Sequence, residues 1–483
     1  MSERNLTLLT DLYELTMMQG YFHAKDANET VIFDAFYRTN PDGNGFAITA
    51  GLEQVVEYIE NLHFDKEDID YLRTTGLFGE DFLEYLSTFK FTGDIYAIPE
   101  GTVVFPREPL VKVIAPIMQA QLVETAILNI INHQSLIATK TSRIVHAARG
   151  DGVMEFGLRR AQGPDAGIYG ARAAMIAGCI GTSNVLCGQM FDVPVKGTHA
   201  HSWIMSFPDE LTAFRTYARL YPTACILLVD TYDTLNSGIP HAIQVFKEMR
   251  AEGIPLTFYG IRMDSGDLAY LSKEAKKMLD AEGFTDAVIS ASNDLDETLI
   301  TSLKNQGATI NSWGVGLITS KACPSFGVVY KLAAIMDKKT GKFIPKIKLS
   351  ENEEKITNPG NKTTYRIYGK DSHKVIADII CLVGETFNED EPLLLFDPVA
   401  TWKKTLLAPG TYTMRELPVQ VFKDGECVYH SPKVMDIQKY CKEELNTLWD
   451  ETKRLVNPHE VHVDLSKPLW DMKHELLDKY HFE

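Results

Sequence analysis

The sequence predicts an α/β protein, and two patterns along the chain carry this prediction. Between about residues 150 and 320, short apolar runs alternate with helical patterns, as expected for parallel strands buried on both faces. About six such units in a row are typical of a (β/α) barrel or a large doubly wound sheet. Residues 1–115 and 330–430 differ, because Pro and Gly turns break their short strands. We expect an irregular (β/α), TIM-like barrel domain plus an open α/β domain formed from the N-terminal and C-terminal segments.

The N-terminal α/β domain is predicted over residues 1–118. The run TDLYELTMM predicts a helix beginning at Thr10 or Asp11, since either side chain can cap it. The strand that follows ends in Arg38 beside a Pro and Gly turn, which suits an exposed anion contact but is also a common pattern. The helix has a second apolar face, which either packs within the chain or meets a ligand or another subunit. Its inner face is formed by Leu12, Leu15, Met18 and Phe22, and its second face by Tyr13, Met17 and Tyr21.

The barrel-like domain is predicted over residues 119–330 and begins with a long apolar helix at about 119–138. Beyond it, strands at about 331–430 are expected to complete the N-terminal domain, and residues 431–483 to form a C-terminal helical region. The predicted barrel strands are 153–157, 193–197, 225–230, 255–261, 287–291 and 308–313. The helices between them are 165–178, 209–221, 237–252, 268–283 and 294–305.

Composition excludes several classes of protein. The 483 residues include 48 Lys and Arg against 65 Asp and Glu, a formal charge of −17, which excludes a general attraction to nucleic acid. The seven cysteines are scattered without a CxxC pair, which excludes a disulfide framework and indicates a reducing compartment. The sequence has no uncharged apolar run near the roughly 18 residues that a membrane span needs. We expect a cytoplasmic protein with no nucleic-acid or membrane partner.

Polar or glycine residues follow every predicted barrel strand, at positions where packing does not require them. Barrel enzymes build their active sites on the loops that follow the strands. We therefore expect six clusters to converge on one face of the domain and to form a site. In strand order, the clusters are Phe156, Arg159 and Arg160; His199 and His201; Asp230 to Asp233; Arg262, Asp264 and Asp267; Ser292 to Asp294; and Gly314 to Gly316.

Three of these clusters have both a chemical and a structural interpretation. The carboxylates of RMDSGD can bind ribose hydroxyls or Mg²⁺ and its Arg can pair with a phosphate, but an Asp can equally cap the next helix. The glycines of GVG suit either a phosphate or a tight turn. His199 and His201 can share a metal, yet the later strand ends supply no further histidine. One structural histidine, with the other as an acid, a base or a phosphate acceptor, fits better.

The residues lie in motifs that resemble those of the nicotinate phosphoribosyltransferase family, among the type II phosphoribosyltransferases. The resemblance covers most of residues 5 to 365, from TDLYELTMMQGYF and AFYR through EFGLRRAQG, GTSNV, GTHAHSW, DTYDTLNSG, IRMDSGDL, SNDLDE and NSWGVG to VYKL. It implies that nicotinate and phosphoribosyl pyrophosphate (PRPP) give nicotinate mononucleotide and pyrophosphate in NAD biosynthesis. It also implies ATP as a co-substrate, Mg²⁺ as the cofactor, and a homodimer with shared active sites.

The same resemblance implies a role for each candidate site residue. His201 matches the histidine that ATP transiently phosphorylates, and it is grouped with Arg262 and Asp264 as catalytic. Stacking on the two faces of the pyridine ring is implied for Phe156 and for Tyr13 of the partner subunit. The other implied contacts are of anions with Arg159, Arg262 and the partner's Arg38, of ribose and Mg²⁺ with Asp264, of phosphate with Asn293, Gly314 and Gly316, and of substrate with Asp230.

Ser183, in GTSNV, bears on the choice of substrate. The related enzyme that acts on nicotinamide carries an Asp at this position, which suits an amide donor. An Asp would repel the carboxylate of nicotinate by about 1 kcal/mol or more, whereas a Ser hydroxyl donates to it. Ser183 therefore favours the acid substrate. The alternative is a structural Ser at the start of a helix.

One departure from the family pattern follows Gly316. The family usually reads GVGT and one further residue before an apolar segment, whereas this chain passes directly from GVG to LITS. Either Ser320 or Lys321 reaches the phosphate instead, or phosphate binding is weakened, or the sequence lacks two residues. The alternatives are therefore a nicotinamide phosphoribosyltransferase, a catalytically impaired nucleotide-binding relative and, more distantly, a metal hydrolase.

Overall fold

A computed structural model describes residues 4–24, 27–316, 318, 326–352 and 355–481, in two compact units. Unit 1 comprises Met1–Leu136, Cys323–Pro432 and Lys439–Glu483, and unit 2 comprises Ile137–Ala322 and Lys433–Gln438. The contacts divide the chain after Leu136, within the helix Glu124–Ala147. Most of the C-terminal region belongs to unit 1 instead of standing apart.

The first part of the chain folds into short strands and amphipathic helices. Helix formation follows local signals: Asp65 and Asp68 form a reciprocal capping box at the start of one helix. The helix predicted at 119–138 is two helices, which meet at Val123. In chain order the elements are α1 (Leu12–Ala24), β1 (Thr30–Phe36), β2 (Ala47–Ile48), α2 (Leu52–Glu60), α3 (Lys66–Thr74), α4 (Glu80–Ser87), β3 (Asp94–Ala97), β4 (Val103–Val104), β5 (Val111–Pro116), α5 (Ile117–Leu122) and α6 (Glu124–Ala147).

Helix α1 departs from its predicted faces. Leu15 and Met18 are buried as expected, but Leu12 is 55% exposed. Glu14, which lies between Leu12 and Leu15 in sequence, is fully buried, and an apolar pattern does not predict a buried carboxyl group there. The inner face of α1 is therefore partly polar.

The middle of the chain alternates strand and helix. All five helices predicted between the strands form within a few residues of their expected bounds. The elements are β6 (Gly152–Glu155), α7 (Pro164–Ile176), β7 (Gly181–Thr182), α8 (Val185–Phe191), α9 (His201–Met205), α10 (Glu210–Leu220), β8 (Cys225–Leu228), α11 (Ile239–Ala251), β9 (Tyr259–Met263), α12 (Leu268–Ala281), β10 (Val288–Ala291), α13 (Glu297–Asn305) and β11 (Ser312–Val315).

These six strands form one parallel sheet in the order β7-β6-β11-β10-β9-β8. The last strand, β11, pairs with the first, β6, as in a barrel, and Trp313 of β11 is fully buried. The edges of the sheet are β7 and β8, so it is a parallel half-barrel. The expected α/β class, with a barrel-like unit, is confirmed.

The strand predicted at 193–197 is wrong. Gly181–Thr182 forms β7 instead, and the predicted run contributes a single bridge from Val195 to Thr182. Pro194 lacks an N–H group, which prevents a longer ladder. On the other side, His199 Nε2 accepts the N–H of Leu228 in β8 at 3.3 Å. Residues 195–199, the seam segment, therefore lie between the two edge strands.

The last part of the chain is rich in antiparallel strands. In unit 1 it supplies part of a seven-stranded sheet, in the order β13-β12-β1-β5-β3-β19-β20, and a four-stranded sheet, β18-β14-β15-β21. The elements are β12 (Val329–Asp337), β13 (Lys342–Pro345), β14 (Lys362–Gly369), β15 (Val375–Leu382), β16 (Leu393–Phe396), β17 (Lys404–Leu407), β18 (Tyr412–Glu416), β19 (Val419–Lys423), β20 (Glu426–Cys427), α14 (Val434–Thr447), β21 (His462–Leu465) and α15 (Lys467–His481). None of the helices in the described ranges is long and apolar enough to cross a membrane.

Candidate active site

A cavity of about 440 Å³ lies in unit 2, where loops following the parallel strands meet. Its lining comes from six separate stretches of sequence, as expected for a site at the C-terminal ends of barrel strands. Nine predicted site residues line it together: Phe156, Arg159, Ser183, His201, Arg262, Asp264, Asn293, Gly314 and Gly316. The structure thus brings most of the predicted residues to one cavity, while their roles remain predictions.

Phe156 follows β6 and lies against the end of β11. Its backbone N–H donates to the Val315 carbonyl at 3.0 Å. A Cβ atom on Gly314 would come within 2.6 Å of Phe156 Cε2, so this glycine is required for the ring to occupy its place. A Cβ atom on Gly316 would lie no nearer than 3.7 Å to the described residues outside its chain neighbours. Gly314 therefore has a packing role besides the phosphate contact that the sequence suggests.

His201 is the first residue of α9, and its imidazole is 41% exposed. Its Nδ1 lies 3.0 Å from the Thr231 hydroxyl, and its Nε2 lies 4.0 Å from Asp230 Oδ1. His199 differs, because its Nε2 accepts a backbone N–H and burial, together with the nearby Arg262 charge, lowers its pKa to about 4. Both histidines of GTHAHSW line the cavity, but their hydrogen-bond partners differ: the His199 imidazole accepts a backbone N–H within the seam segment, and the His201 imidazole lies beside Thr231 and Asp230.

Asp230 is not among the residues that line the pocket. Its side chain is 2% exposed, and Oδ2 accepts from the Asp264 N–H at 2.8 Å and the Ser265 hydroxyl at 2.7 Å. The Asp264–Ser265 turn thus packs on this carboxylate, and the substrate contact implied for Asp230 stays a prediction. Its other oxygen, Oδ1, has no hydrogen-bond partner among the described residues and lies 4.0 Å from His201 Nε2, so Asp230 is placed to orient His201.

Arg262 is a buried cation at the pocket wall. Its Nη2 donates to the His199 carbonyl at 2.7 Å, whereas its buried Nε has no partner among the residues that the structure describes. Burial lowers the pKa of Arg262, and the nearby carboxylates of Asp264 and Asp230 offset only part of this effect. An unused N–H on a buried guanidinium at a cavity wall is suited to bind an anion.

Asp264 faces the pocket beside Ser292, whose hydroxyl donates to Asp264 Oδ1. The helix cap in this motif is supplied by Asp267, which accepts the Tyr270 N–H at 3.0 Å. The structural alternative for RMDSGD therefore applies to Asp267, and the Asp264 carboxylate stays at the cavity.

Ser183 and Asn184 divide two roles between neighbouring positions. Asn184 caps α8, because its Oδ1 accepts the Cys187 N–H at 3.1 Å. Ser183 lines the pocket, and its hydroxyl makes no hydrogen bond to any described residue. Its backbone N–H donates to the Glu155 carbonyl at 3.0 Å. Ser183 is thus not the helix cap, and its hydroxyl is available to a ligand.

Two features of the pocket rim were not predicted from sequence. Asn293 has a φ of 100°, an unusual backbone angle for a residue other than glycine, of the kind that clusters at functional sites. Arg160 pairs with Asp294, which links the loops that follow β6 and β10. The polar SND run pointed to this rim, but the ion pair depends on two loops that are far apart in sequence.

Tyr13 and Arg38 belong to unit 1 and are not among the residues that line the pocket. The Tyr13 ring is 46% exposed, and its hydroxyl hydrogen-bonds to the Glu14 and Glu124 carboxyl groups. The buried Nε of Arg38 has no partner within the described ranges. The shortened loop after Gly316, with Ser320 and Lys321, lies outside the described residues.

Comparisons with known proteins agree over nearly the whole chain. The family models for the nicotinate phosphoribosyltransferase N-terminal domain, family and C-terminal domain match residues 8–132, 152–346 and 361–473. Nicotinate phosphoribosyltransferase of Bacillus subtilis is 46% identical over 97% of this chain and 94% of its own length. Nicotinate phosphoribosyltransferase pncB2 of Mycobacterium tuberculosis is 42% identical over 81% of this chain and 80% of its own. The crystal structure of human nicotinic acid phosphoribosyltransferase matches with a TM-score of 0.82 at 28% identity, covering 97% and 100% of the two chains. The chain therefore belongs to the nicotinate phosphoribosyltransferase family.

Proposed function

We propose that the chain is an ATP-coupled nicotinate phosphoribosyltransferase of NAD biosynthesis. It converts nicotinate and PRPP to nicotinate mononucleotide and pyrophosphate. The observation that carries this proposal is one cavity, in a member of this family, in which an aromatic ring, a histidine, a carboxylate and an arginine with an unused donor converge. These are the residue types that the transfer of a ribose phosphate requires.

In the transfer step, the ring nitrogen of nicotinate bonds to the anomeric carbon of PRPP as the bond to pyrophosphate breaks. Phe156 aligns the ring against that carbon, which lowers the entropic part of the barrier. Arg262, whose Nε has no partner among the described residues, and Arg159, which lines the pocket, bind anionic groups and so neutralise charge on the leaving pyrophosphate. The Ser183 hydroxyl donates to the nicotinate carboxylate.

Mg²⁺ fits the pocket through Asp264. The described ranges contain no group of three or more His, Cys, Asp or Glu side chains that would hold a metal by themselves. Mg²⁺ is commonly bound by one or two carboxylates together with substrate phosphates and waters. Asp264 would hold it with the phosphates of PRPP, and when bound it supplies positive charge at the leaving group.

His201 accepts the γ-phosphoryl group of ATP in this proposal. ADP leaves as a ring nitrogen of His201 bonds to phosphorus, and water later cleaves that bond to release phosphate. The exposed imidazole, held between Thr231 and Asp230, supports this role. Phosphoryl transfer from ATP thus supplies the free energy that favours nucleotide formation.

We propose a cytoplasmic homodimer with shared sites. Leu9, which precedes α1, and Leu12, Tyr13 and Met17 of α1 have exposed apolar side chains, which a second subunit would cover. Tyr13 and Arg38 would then serve the partner's pocket. The six described cysteines are all free thiols, as expected in a reducing compartment.

The test is an incubation with nicotinate, PRPP and Mg²⁺, with and without ATP, following nicotinate mononucleotide and ADP together. We expect ATP to raise product formation with matching ADP, and His201→Ala to abolish that stimulation while leaving slow ATP-independent transfer. Binding of PRPP without turnover on nicotinate or nicotinamide would contradict the proposal. Preferred turnover of nicotinamide would contradict the choice of substrate.

A further inference from the structure

The loop that leads from β8 to α11 contains an unusual turn. Thr234–Gly238 is a single π-helical turn, a rare conformation that occurs frequently at functional sites. Asp233 caps it by accepting the Leu235 and Asn236 N–H groups at 3.2 and 2.9 Å. A Cβ atom on Gly238 would lie 1.9 Å from the Val229 carbonyl oxygen, so the turn packs directly against the chain that leaves β8.

Three polar side chains fix this turn to α10. Glu210 Oε2 accepts from the Ser237 hydroxyl at 2.5 Å and from His241 Nδ1 at 2.8 Å. The Glu210 side chain is almost fully buried, and its other oxygen has no partner in the described part of the chain. A buried carboxylate that loses a donor pays a large desolvation penalty, so this cluster holds its geometry firmly.

The cluster acts on residues that contact His201. Val229, against which the turn packs, immediately precedes Asp230 and Thr231. Thr231 hydrogen-bonds to His201 Nδ1, and Asp230 faces Nε2. None of Glu210, Ser237 and His241 lines the pocket, so their influence on it passes through the backbone of this loop.

We infer that Glu210, Ser237 and His241 are positioning residues that hold the loop carrying Asp230 and Thr231, and so orient His201 for phosphorylation. This inference rests on the proposed function, in which His201 accepts the phosphoryl group. A displacement of about 1 Å at a reacting group can cost on the order of 100-fold in rate. Loss of the cluster therefore affects phosphorylation of His201 more than transfer of the ribose phosphate.

The test compares His241→Ala with His241→Asn, whose amide can donate to Glu210 from nearly the same place as Nδ1. We expect His241→Ala to lower the acid-labile phosphohistidine formed from ATP, and the ATP-stimulated rate, by about tenfold. The ATP-independent rate should change less than about twofold, and His241→Asn should restore most of the phosphohistidine.

Arg215→Ala is the matched control, because Arg215 pairs with Glu248 at 2.7 Å and links the same two helices. It should lower the melting temperature without lowering phosphohistidine. The inference is overturned if His241→Ala forms phosphohistidine as the wild type does, or if it lowers ATP-dependent and ATP-independent rates equally. Absence of phosphohistidine from the wild type would instead overturn the proposed function, and the inference with it.

Discussion

Two buried arginines, one in each unit, use their hydrogen-bond donors in opposite ways. In unit 1, Arg366 Nε and Nη2 donate to the Asp378 carboxylate at 2.9 and 2.6 Å, and Nη1 donates to Glu444 at 3.2 Å. In unit 2, Arg262 makes one such bond, to a backbone carbonyl, and its Nε stays unpaired among the described residues. Arg366, whose donors are bound by carboxylates of the protein, is the closed arginine. Arg262, which keeps an unused donor at a cavity wall, is the open arginine.

The pKa shifts of the two arginines follow the difference in their pairing. Burial alone lowers the pKa of either guanidinium, but Asp378, Glu108 and Glu444 raise the pKa of Arg366 well above its ordinary value. Around Arg262 the carboxylates do not offset burial, and its pKa is lowered. Full pairing of a buried charge therefore marks a structural site, and an incompletely paired charge beside a cavity marks a binding site.

The largest effect is expected at the closed arginine. Arg366→Ala leaves Asp378 and Glu444 buried without their shared cation and should destabilise the protein by about 3–5 kcal/mol, or prevent folding. Urea denaturation followed by circular dichroism measures this loss. A variant with the stability of the wild type would show that Arg366 is not the centre of this core.

The open arginine should show the reverse pattern. Arg262→Ala should lower kcat/KM for PRPP by about 10²–10³-fold, roughly 3–4 kcal/mol, because a donor to developing negative charge is lost. The melting temperature should stay within a few degrees of the wild type. Arg262→Lys is the matched variant, since it keeps the charge but loses the planar set of donors, and it should recover only part of the activity. Full activity in the Ala variant would remove Arg262 from the site.

Glu14 extends the comparison to a buried carboxyl group. It has hydrogen-bond partners, yet its charged form lowers the free energy of unfolding. Burial raises its pKa to about 7, an effect that the hydrogen bond from Gln121 only partly opposes. A raised folded-state pKa means that the stability contribution is full below about pH 4.5 and is lost as the pH rises through about 7.

Glu14→Gln should therefore be more stable than the wild type at pH 8, by roughly 2–3 kcal/mol, and nearly equal to it at pH 4.5. Thermal melting at several pH values measures the difference. A difference that stays constant with pH would show that Glu14 does not titrate in this range. Asp70→Asn on exposed α3 is a control without a raised pKa.

The smallest effects are expected at the neighbouring pair Ser183 and Asn184. Ser183→Asp places a negative charge in the pocket lining. It should raise KM for nicotinate by about tenfold, roughly 1.4 kcal/mol, with little change of KM for nicotinamide. Asn184→Ala removes the closed helix cap and should cost about 1 kcal/mol of stability without changing this preference. Equal changes of both KM values in Ser183→Asp would separate this residue from substrate choice.

Much of the site could be predicted because its residues follow parallel strands. The alternation of strand and helix placed Phe156, Arg262 and Gly314 after separate strands, and the half-barrel brings them to one cavity. Contacts between residues far apart in the chain could not be predicted. Asp230 is covered by a turn 34 residues later in the chain, which no local pattern reveals.

The strand error has a related cause. The run at 193–197 has the composition of a strand, but Pro194 and the position between two sheet edges allow only one bridge. The unit boundary was equally hidden, since α6 runs through Leu136 without a Gly or Pro to mark it. The homodimer and the roles of Tyr13 and Arg38 remain predictions.

The seam segment gives the half-barrel a mechanical property. A closed ring of paired strands can widen only by breaking a ladder of hydrogen bonds. Here the ring is open between its edge strands, β7 and β8. The seam segment joins them through the bridge from Val195 to Thr182 on one side and the hydrogen bond of the His199 imidazole on the other. His201 follows directly after the seam segment. The proposed phosphoryl acceptor therefore lies where the half-barrel can widen without breaking the ladders between its paired strands. The amide hydrogen of Leu228, which donates to His199 Nε2, should therefore exchange with solvent faster than the amide hydrogens inside the paired strands. Its exchange rate would measure how often the seam segment separates from β8.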